Sequence, residues 1–296
     1  MKASAPGKIF LFGEHAVVYK RHAVVTAINL RCYAEVRKSS EFKISSPLGV
    51  TGLDFEKHPY VSFAVKRFGE IKPIKGADIK IESEIPIASG LGSSAAVTVA
   101  VLKALDAEFE AGLSSEDIYE LARKVELDVQ GIGSGTDPFL STYGKAWLIP
   151  ERKSFEIGKL KILVVNTNES SITSHMVAKV ADLRSRYPEI VEKIFDAIDS
   201  ISLNSLEYLS SMDVRALSDL MFLNQCLLKS IGVSTKRIDE IVERLSELGI
   251  AAKLTGAGGG GCVIGIGDEG AISQALKEFP AFVVEPEMEG ARIEEA

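Results

Sequence analysis

The spacing of hydrophobic and polar positions predicts β-strands in the first third of the chain. Compact apolar runs, β-branched residues and period-two alternation occur at residues 8–12, 23–36 and 77–85. These patterns are typical of strands in a half-buried or buried sheet. Two further apolar runs flank Gly144-Lys145, and they predict a strand pair over residues 139–150.

Between these strands the apolar positions recur at helical spacing. The pattern predicts one helix over residues 93–109 and a second helix that starts at Ser114 or Ser115. Ser114 and Asp117 have the spacing of a capping signal for the second helix. Because strands and helices mix without the regular alternation of a doubly wound sheet, the predicted fold class is α+β.

A polar stretch at residues 151–159 marks the predicted boundary between two domains, 1–159 and 160–296. Beyond it, a buried strand is predicted at 160–166 and a largely helical region at 172–248. The remaining pattern predicts three strands and one helix, at 250–254, 262–266, 281–284 and 269–279 respectively. The acidic tail from Glu285 is predicted to be a solvated end.

Composition and charge exclude several classes of function. The chain has 296 residues, of which 46% are hydrophobic, and a formal net charge of −7. Such an acidic protein offers no general surface for nucleic acid. We recognise no signal peptide and no apolar run of about 18 residues, so we expect a cytoplasmic protein without a membrane partner. The three cysteines form no CxxC pair, and we expect them to be core residues rather than zinc ligands.

The segment Pro86-Ile-Ala-Ser-Gly-Leu-Gly-Ser-Ser-Ala-Ala96 is a candidate phosphate-binding loop, because it leads directly into a predicted helix. Unpaired N–H groups at the start of a helix attract anions. Gly90 and Gly92 allow close backbone approach, and Ser93 and Ser94 add hydroxyls for phosphate or Mg²⁺. The loop matches neither the Walker A motif nor G-x-G-x-x-G. Taken alone, a Gly/Ser turn of this kind is equally typical of an ordinary helix cap.

Two other motifs carry candidate chemistry. The first is Ala5-Pro-Gly-Lys-Ile-Phe-Leu-Phe-Gly-Glu-His-Ala-Val-Val-Tyr19, where a strand begins with a cation and ends before an acid–imidazole pair. Its plain alternative is a surface lysine and two turn residues. The other is Lys253-Leu-Thr-Gly-Ala-Gly-Gly-Gly-Gly-Cys262. Its glycines could form a linker, but the apolar strands on either side favour close backbone approach to another element or a ligand.

In this order and spacing the three motifs resemble the signature motifs of the GHMP small-molecule kinases. The phrase Pro-Gly-Lys-x-x-Leu-x-Gly-Glu-His-Ala-Val-Val-Tyr is similar to that of the mevalonate kinases within that superfamily. The resemblance covers residues 5 to about 267. It implies a two-domain GHMP kinase architecture, in which an N-terminal domain like ribosomal protein S5 domain 2 precedes a ferredoxin-like C-terminal domain.

The implied activity is ATP-dependent phosphorylation of (R)-mevalonate at its primary hydroxyl to 5-phosphomevalonate, in isoprenoid biosynthesis by the mevalonate pathway. ATP and mevalonate are the implied small-molecule partners, with Mg²⁺ as cofactor. Dimers are common in the family, so a homodimer is compatible with the resemblance, and the sequence itself leaves the oligomeric state open.

The resemblance also implies roles for individual residues. Asp137 corresponds to the catalytic base and Lys8 to the catalytic lysine, while Ser94 and Glu126 correspond to the Mg²⁺ ligands. The alcohol substrate is expected to contact Lys8, Glu14, His15 and Thr173. The nucleotide is expected to contact Pro86, Ile87, Ala88, Ser89, Gly90, Leu91, Gly92, Ser93, Ser94 and Ala95. The structural glycines of the third motif are Gly256, Gly258, Gly259 and Gly260.

Two alternatives stay open at this point. One is a GHMP kinase for another alcohol, such as phosphomevalonate or a sugar, although Glu14-His15 argues against it. The other is a nucleotide-binding module without activity, which would be expected to lack Lys8, Glu126 or Asp137. The chain departs from the family pattern at Lys20, where glycine is usual, and at Gly133, where proline is usual. Both departures are expected to affect loop geometry rather than chemistry.

Overall fold

The computed structural model describes residues 1–86, 89–131 and 133–295. The chain folds into two sheets, each covered by helices. The first part contains the helices α1 (Pro59–Ile71), α2 (Ser93–Phe109), α3 (Ser115–Gln130) and α4 (Thr136–Tyr143). Its strands are β1 (Lys2–Phe12), β2 (Ala23–Lys38), β3 (Phe42–Ser46), β4 (Gly49–Thr51), β5 (Ala77–Ser83), β6 (Ala146–Ile149) and β7 (Lys153–Phe155).

The second part of the chain is largely helical around a smaller sheet. Its strands are β8 (Ile162–Asn166), β9 (Ala251–Thr255), β10 (Cys262–Ile266) and β11 (Ala281–Val284). The strand order is β11-β8-β10-β9, and every neighbouring pair is antiparallel. The helices are α5 (Thr173–Arg186), α6 (Pro188–Ser211), α7 (Val214–Ser230), α8 (Lys236–Glu247) and α9 (Glu269–Glu278).

The first sheet has the order β12-β1-β2-β5-β3-β4, where β12 (Arg292–Ile293) comes from the far end of the sequence. The strand β6 pairs with β2 and β7. The β1–β2 pair is the long antiparallel centre of this sheet, and β3 joins β5 in parallel. The α+β class that the sequence predicts is therefore confirmed. Among the residues that the structure describes, no helix is long and apolar enough to cross a membrane.

Helix α2 is the central helix of the first part. It packs against β1 and β2 on one side and against α1, α3 and α4 on others. Apolar residues face all of these neighbours, including the fully buried Val99, Val101 and Leu102, so the helix is hydrophobic on nearly every side. This burial fixes the start of α2, and with it the loop that precedes the helix, against the middle of β1 at Gly7 and Lys8.

Several predicted elements are confirmed closely. Helix α2 spans the predicted residues, and α3 begins with a capping box in which Ser114 Oγ accepts the Asp117 N–H at 3.1 Å. The strands β10 and β11 also have the predicted bounds. Lys20, one of the two departures from the family pattern, has φ 65°. It therefore adopts the left-handed conformation to which glycine is suited.

The prediction of a strand pair over residues 139–150 is wrong. Residues Thr136–Tyr143 form α4, and only Ala146–Ile149 is a strand. Pro138 lies in the first turn of α4, where its missing N–H costs no hydrogen bond. Phe139, with Tyr143 four residues later, packs against the ring of Trp147, so their spacing is helical.

The solvated tail predicted from Glu285 is also wrong. Residues 285–294, here called the return segment, cross back to the first sheet. Glu287 N donates to Ala27 O at 2.9 Å, and Ser4 pairs with Arg292 in the sheet. Backbone pairing and the buried Arg31 of β2 offset the conformational entropy that is lost when this acidic segment is ordered.

We predict that Cys226 is the thiol that reacts in the native protein. The expectation that all three cysteines are core residues is wrong for Cys226, which is exposed on α7. Burial raises the pKa of the Cys32 and Cys262 thiols to about 12. Ellman titration of the folded chain should therefore give one thiol, and titration in denaturant should give all three. A Cys226→Ser variant should give none while folded, and a second reactive thiol in the native protein would contradict this packing.

Candidate active site

Lys8 and Asp137 form an ion pair where the first sheet meets α2 and α4. The Lys8 side chain on β1 is 6% exposed, and its Nζ lies 3.2 Å from Asp137 Oδ1. The same Nζ donates to the carbonyl oxygen of Gly90 at 3.1 Å. One nearly buried cation thus joins a strand, the candidate phosphate loop and the first turn of α4.

Glycines allow this close packing around Lys8. A Cβ at Gly92 would lie 2.9 Å from Lys8 Cγ, and a Cβ at Gly7 would lie 2.8 Å from the Leu91 carbonyl oxygen. Lys8 N also donates to that Leu91 oxygen at 2.9 Å. The phosphate loop therefore lies directly on the backbone of β1, with no room for side chains at these positions.

The loop ends at the N-terminus of α2 in the way the sequence predicts. Gly92, with φ 78°, is the residue before the first helical turn, which begins at Ser93. Ser89 Oγ donates to Pro86 O at 2.7 Å and closes the loop. A Cβ at Gly90 would meet no described heavy atom within 4 Å, so the surface above this glycine is open. The predicted nucleotide contacts Ile87 and Ala88 lie outside the described residues.

Glu126 on α3 faces the same cleft. Ser94, Glu126 and Asp137 line one open cleft. Burial, and then the nearby charge of Asp137, raises the pKa of Glu126 to about 7. The Gly135 N–H donates to Glu126 Oε2 at 3.1 Å. Two neighbouring carboxylates and a hydroxyl therefore share one cleft, an arrangement that a bound cation would stabilise.

Position 133 is a glycine because a side chain there would collide with Glu126. A Cβ there would lie 2.2 Å from Glu126 Oε2, so any larger residue would displace that carboxylate. Among the described residues, no group of three or more His, Cys, Asp or Glu side chains could hold a metal by itself.

Glu14 and His15 lie buried where the two sheets meet. Glu14 Oε1 forms an ion pair with Lys253 Nζ of β9, and both side chains are almost completely buried. Burial raises the pKa of Glu14 and lowers the pKa of Lys253. His15, with φ 62°, holds its Nε2 2.9 Å from the carbonyl oxygen of Ala257. Residues after β1 are thus tied to the third motif.

Lys253 opens the third motif, and neither its pattern nor the family resemblance predicts a role for it. The sequence does carry a signal, because a lysine lies within an otherwise apolar strand. A lysine buried in such a strand requires a buried counter-charge. The sequence does not say that Glu14, which is 239 residues away, supplies that charge.

The third motif approaches other backbone segments closely. A Cβ at Gly258 would lie 2.3 Å from Val233 O, and one at Gly260 would lie 2.5 Å from Glu169 O. A Cβ at Gly259 would lie 2.6 Å from Met176 Sδ. A Cβ at Gly256 would lie 3.8 Å from the carbonyl oxygen of Gly90 in the phosphate loop. The glycines therefore form a packed junction rather than a linker. All of them have positive φ.

Thr173, the last of the predicted substrate residues, lies in the second part of the chain. It is exposed at the start of α5. No hydrogen bond or ion pair of the described residues joins its side chain to Lys8, Glu14 or His15. Its neighbour Ser171 donates to Gly258 O at 2.5 Å, so this end of α5 still lies next to the third motif.

Comparisons with known proteins agree with this architecture. The family model "GHMP kinases N terminal domain" matches residues 59–145, and "GHMP kinases C terminal" matches residues 205–285. The fold and the site are therefore those of a GHMP small-molecule kinase.

Relatives place the chain more narrowly. It is 56% identical to a mevalonate kinase of Archaeoglobus fulgidus over 295 residues, which is 100% of both chains. It is 38% identical to one of Methanothermobacter thermautotrophicus, with 88% of each chain covered. The crystal structure of the Methanococcus jannaschii mevalonate kinase is 30% identical, with a TM-score of 0.84 over 100% of this chain and 98% of that chain. The chain belongs to the mevalonate kinase family.

We predict that Lys253→Met lowers the free energy of unfolding by about 3–5 kcal/mol, because it leaves the Glu14 carboxylate buried without a partner. Equilibrium denaturation in urea measures the change. The double variant Lys253→Met/Glu14→Gln should regain part of the loss. Lys277→Met, at an exposed position of α9, is the matched control and should change little. Equal stabilities for Lys253→Met and Lys277→Met would exclude a buried charge pair.

Proposed function

We propose that this protein phosphorylates the primary hydroxyl of (R)-mevalonate with ATP to give 5-phosphomevalonate, in isoprenoid biosynthesis by the mevalonate pathway. The observation that carries the proposal is the Lys8–Asp137 pair, 3.2 Å apart beside the open phosphate loop. The 56% identity to a mevalonate kinase over the full chain supports the choice of substrate. The cytoplasmic location stays an expectation from the sequence, and the homodimer stays an expectation from the family resemblance.

The transfer needs a base and a charge stabiliser in fixed positions. The Asp137 carboxylate accepts the proton of the attacking hydroxyl, whose oxygen forms a bond to the γ-phosphorus. The bond between that phosphorus and the β–γ bridging oxygen breaks, and ADP leaves with the electron pair. The Lys8 ammonium orients the hydroxyl and offsets negative charge that develops on the transferred group.

The α2 N-terminus supplies the anion site for the nucleotide. Backbone N–H groups around Gly92 and Ser93 are free of helical partners, and the helix dipole favours phosphate there. Mg²⁺ would be held by Ser94 and Glu126, together with phosphate oxygens and water. When bound, the ion neutralises phosphate charge. Glu126 suits that role because burial and the neighbouring Asp137 charge disfavour its ionised form, and a bound divalent ion would offset both effects.

We place the alcohol between the Lys8–Asp137 pair and the sheet junction. Glu14 and His15 are buried there, and Glu14 Oε2 is buried without a described hydrogen-bond partner. A site with such a vacant acceptor favours a substrate that brings hydroxyl donors. Thr173 would complete the pocket from the start of α5, next to the third motif.

The proposal is tested by an ADP-release assay with Mg-ATP against mevalonate, phosphomevalonate, galactose and homoserine, with phosphorus NMR of any product. Turnover on mevalonate with phosphate on the primary hydroxyl supports the proposal. Turnover on another alcohol keeps the fold and mechanism but moves the substrate. A galactokinase and a phosphomevalonate kinase share the fold at 21% and 20% identity, which makes their substrates the informative alternatives.

We predict that Asp137→Asn keeps ATP binding but lowers kcat by about 10²–10⁴-fold, the usual contribution of a positioned base. Nucleotide affinity is measured by calorimetry and kcat by ADP release. Asp219→Asn, at an exposed position on α7, is the control and should leave both unchanged. Turnover by Asp137→Asn within about tenfold of the wild type, roughly 1.4 kcal/mol of barrier, would exclude Asp137 as the base.

We predict that Glu126→Gln raises the Mg²⁺ concentration needed for half-maximal activity, because the amide replaces a charged ligand with a neutral one. The Mg²⁺ titration is run at saturating substrates. Glu120→Gln on the same helix removes an exposed carboxylate that pairs with Arg123, and it should not change the titration. Identical titrations for the two variants would show that the metal does not bind at Glu126.

A further inference from the structure

The return segment, residues 285–294, makes contacts that the phosphoryl-transfer chemistry does not by itself explain. It inserts where β1 and β2 separate, since the β1–β2 register shifts between Pro6 and Gly7 and leaves Asn29 without a β1 partner. Asn29 instead pairs with Glu285. Its N–H donates to Glu285 O at 3.0 Å, and its Oδ1 accepts the Glu285 N–H at 3.0 Å.

The segment then closes on the C-terminal end of α4. The Ala291 N–H donates to the carbonyl oxygen of Thr142 at 3.1 Å. The last carbonyls of a helix lack helical partners, so this bond caps α4. A Cβ at Gly290 would lie only 2.0 Å from the same Thr142 oxygen. Glycine at position 290 is therefore required for the contact.

Arg31 on β2 holds the segment in place. Its side chain is 3% exposed. It donates to Gly290 O at 2.6 Å, to Glu289 O at 3.2 Å and to Glu287 Oε2 at 3.2 Å. A buried guanidinium is costly without such acceptors, and its planar fork fits several of them at once. Release of the segment would leave this cation with few partners.

Helix α4 has only eight residues, and Asp137 lies in its first turn. Ser141 Oγ, in the last turn, donates to Pro6 O at 2.9 Å, and this bond ties α4 to the strand that carries Lys8. The helix is thus held between β1 and the return segment. A displacement of its last turn would move its first turn as well, because interiors this densely packed transmit shifts.

We propose that the return segment sets the position of Asp137 relative to Lys8, with Arg31 and Gly290 as positioning residues. The proposal rests on the proposed function, because it assumes that this pair performs the transfer. Neither positioning residue touches the cleft lined by Ser94, Glu126 and Asp137. Their effect on turnover is exerted through α4.

The test is the Gly290→Ala variant of the full chain. Its new methyl group clashes with the Thr142 carbonyl and lifts the segment from α4. Trp147 is the only tryptophan. It reports the position of α4, because its Nε1 donates to Gly144 O at 2.5 Å and its ring lies 4.9 Å from that of Phe139. Fluorescence emission, kcat and KM are measured for each variant, and thermal unfolding confirms that it is folded.

We expect Gly290→Ala to shift Trp147 emission and to lower kcat by about ten- to a hundredfold, with each KM within about threefold of the wild type. Two controls should change none of these. Met288→Ala removes an exposed side chain within the return segment, and Gly69→Ala adds a methyl group in α1 where no described heavy atom lies within 4 Å. A merely structural role would lower the unfolding temperature without this selective loss of kcat.

Two results would overturn the proposal. One is a folded Gly290→Ala variant with shifted emission but an unchanged kcat, which would mean that the cap does not position Asp137. The other is an unchanged emission and kcat, which would mean that the segment does not hold α4. If Gly290→Ala fails to fold, Arg31→Lys is used instead, because it keeps the charge but removes the guanidinium that binds several acceptors at once. Its emission and kcat are judged in the same way. Failure of the proposed function is distinguishable, because the unmodified chain would then show no turnover on mevalonate. If the Lys8–Asp137 pair does not perform the transfer, Asp137→Asn would retain turnover.

Discussion

Burial of the Lys8 ammonium is the constraint on which the active site depends. A cation that is nearly withdrawn from water must find acceptors inside the protein. Here they are the Gly90 carbonyl and the Asp137 carboxylate. Because these acceptors belong to the loop before α2 and to α4, the strand, the loop and the helix must meet at one point. Gly7 and Gly92 permit this close packing because they have no Cβ. The surface above Gly90 stays open and is accessible to a ligand.

A second buried cation repeats this logic at the sheet junction. Lys253 from the second sheet pairs with Glu14, which follows β1 of the first. Thr255 Oγ1 accepts the Phe10 N–H at 3.1 Å and donates to the Phe10 carbonyl oxygen at 2.9 Å, beside this pair. The junction is therefore polar at its core. Polar bonds of fixed geometry specify one arrangement of the two sheets more sharply than apolar contacts alone would.

Most helices and strands of this fold could be predicted from the sequence. The features that could not be predicted depend mainly on contacts between distant parts of the chain. Local signals, such as the capping box at Ser114 and the apolar spacing of α2, determine elements that the structure reproduces. Helix α4 was missed because Phe139 and Tyr143 suit either period until Trp147 selects one face. The hairpin β3–β4 is too short for its pattern to stand out, whereas helix α1 has the apolar spacing of a helix at Val61, Ala64, Val65 and Phe68, a signal that is present in the sequence. The partner of Lys253 and the course of the return segment depend on contacts between residues more than 200 positions apart, which no local pattern encodes.

The pairing of β12 with β1 has a consequence for how the chain reaches its structure. Residues 285–294 are synthesised after the whole second sheet, yet Ala3 pairs with Ile293 and Ser4 with Arg292 in the first. The first sheet can therefore collapse early around α2 but cannot be finished until the second part of the chain has emerged. Contacts of such long range slow the final stage of folding. Until that stage, the edge of β1 is exposed as an unpaired strand, which is the segment most open to pairing with another chain.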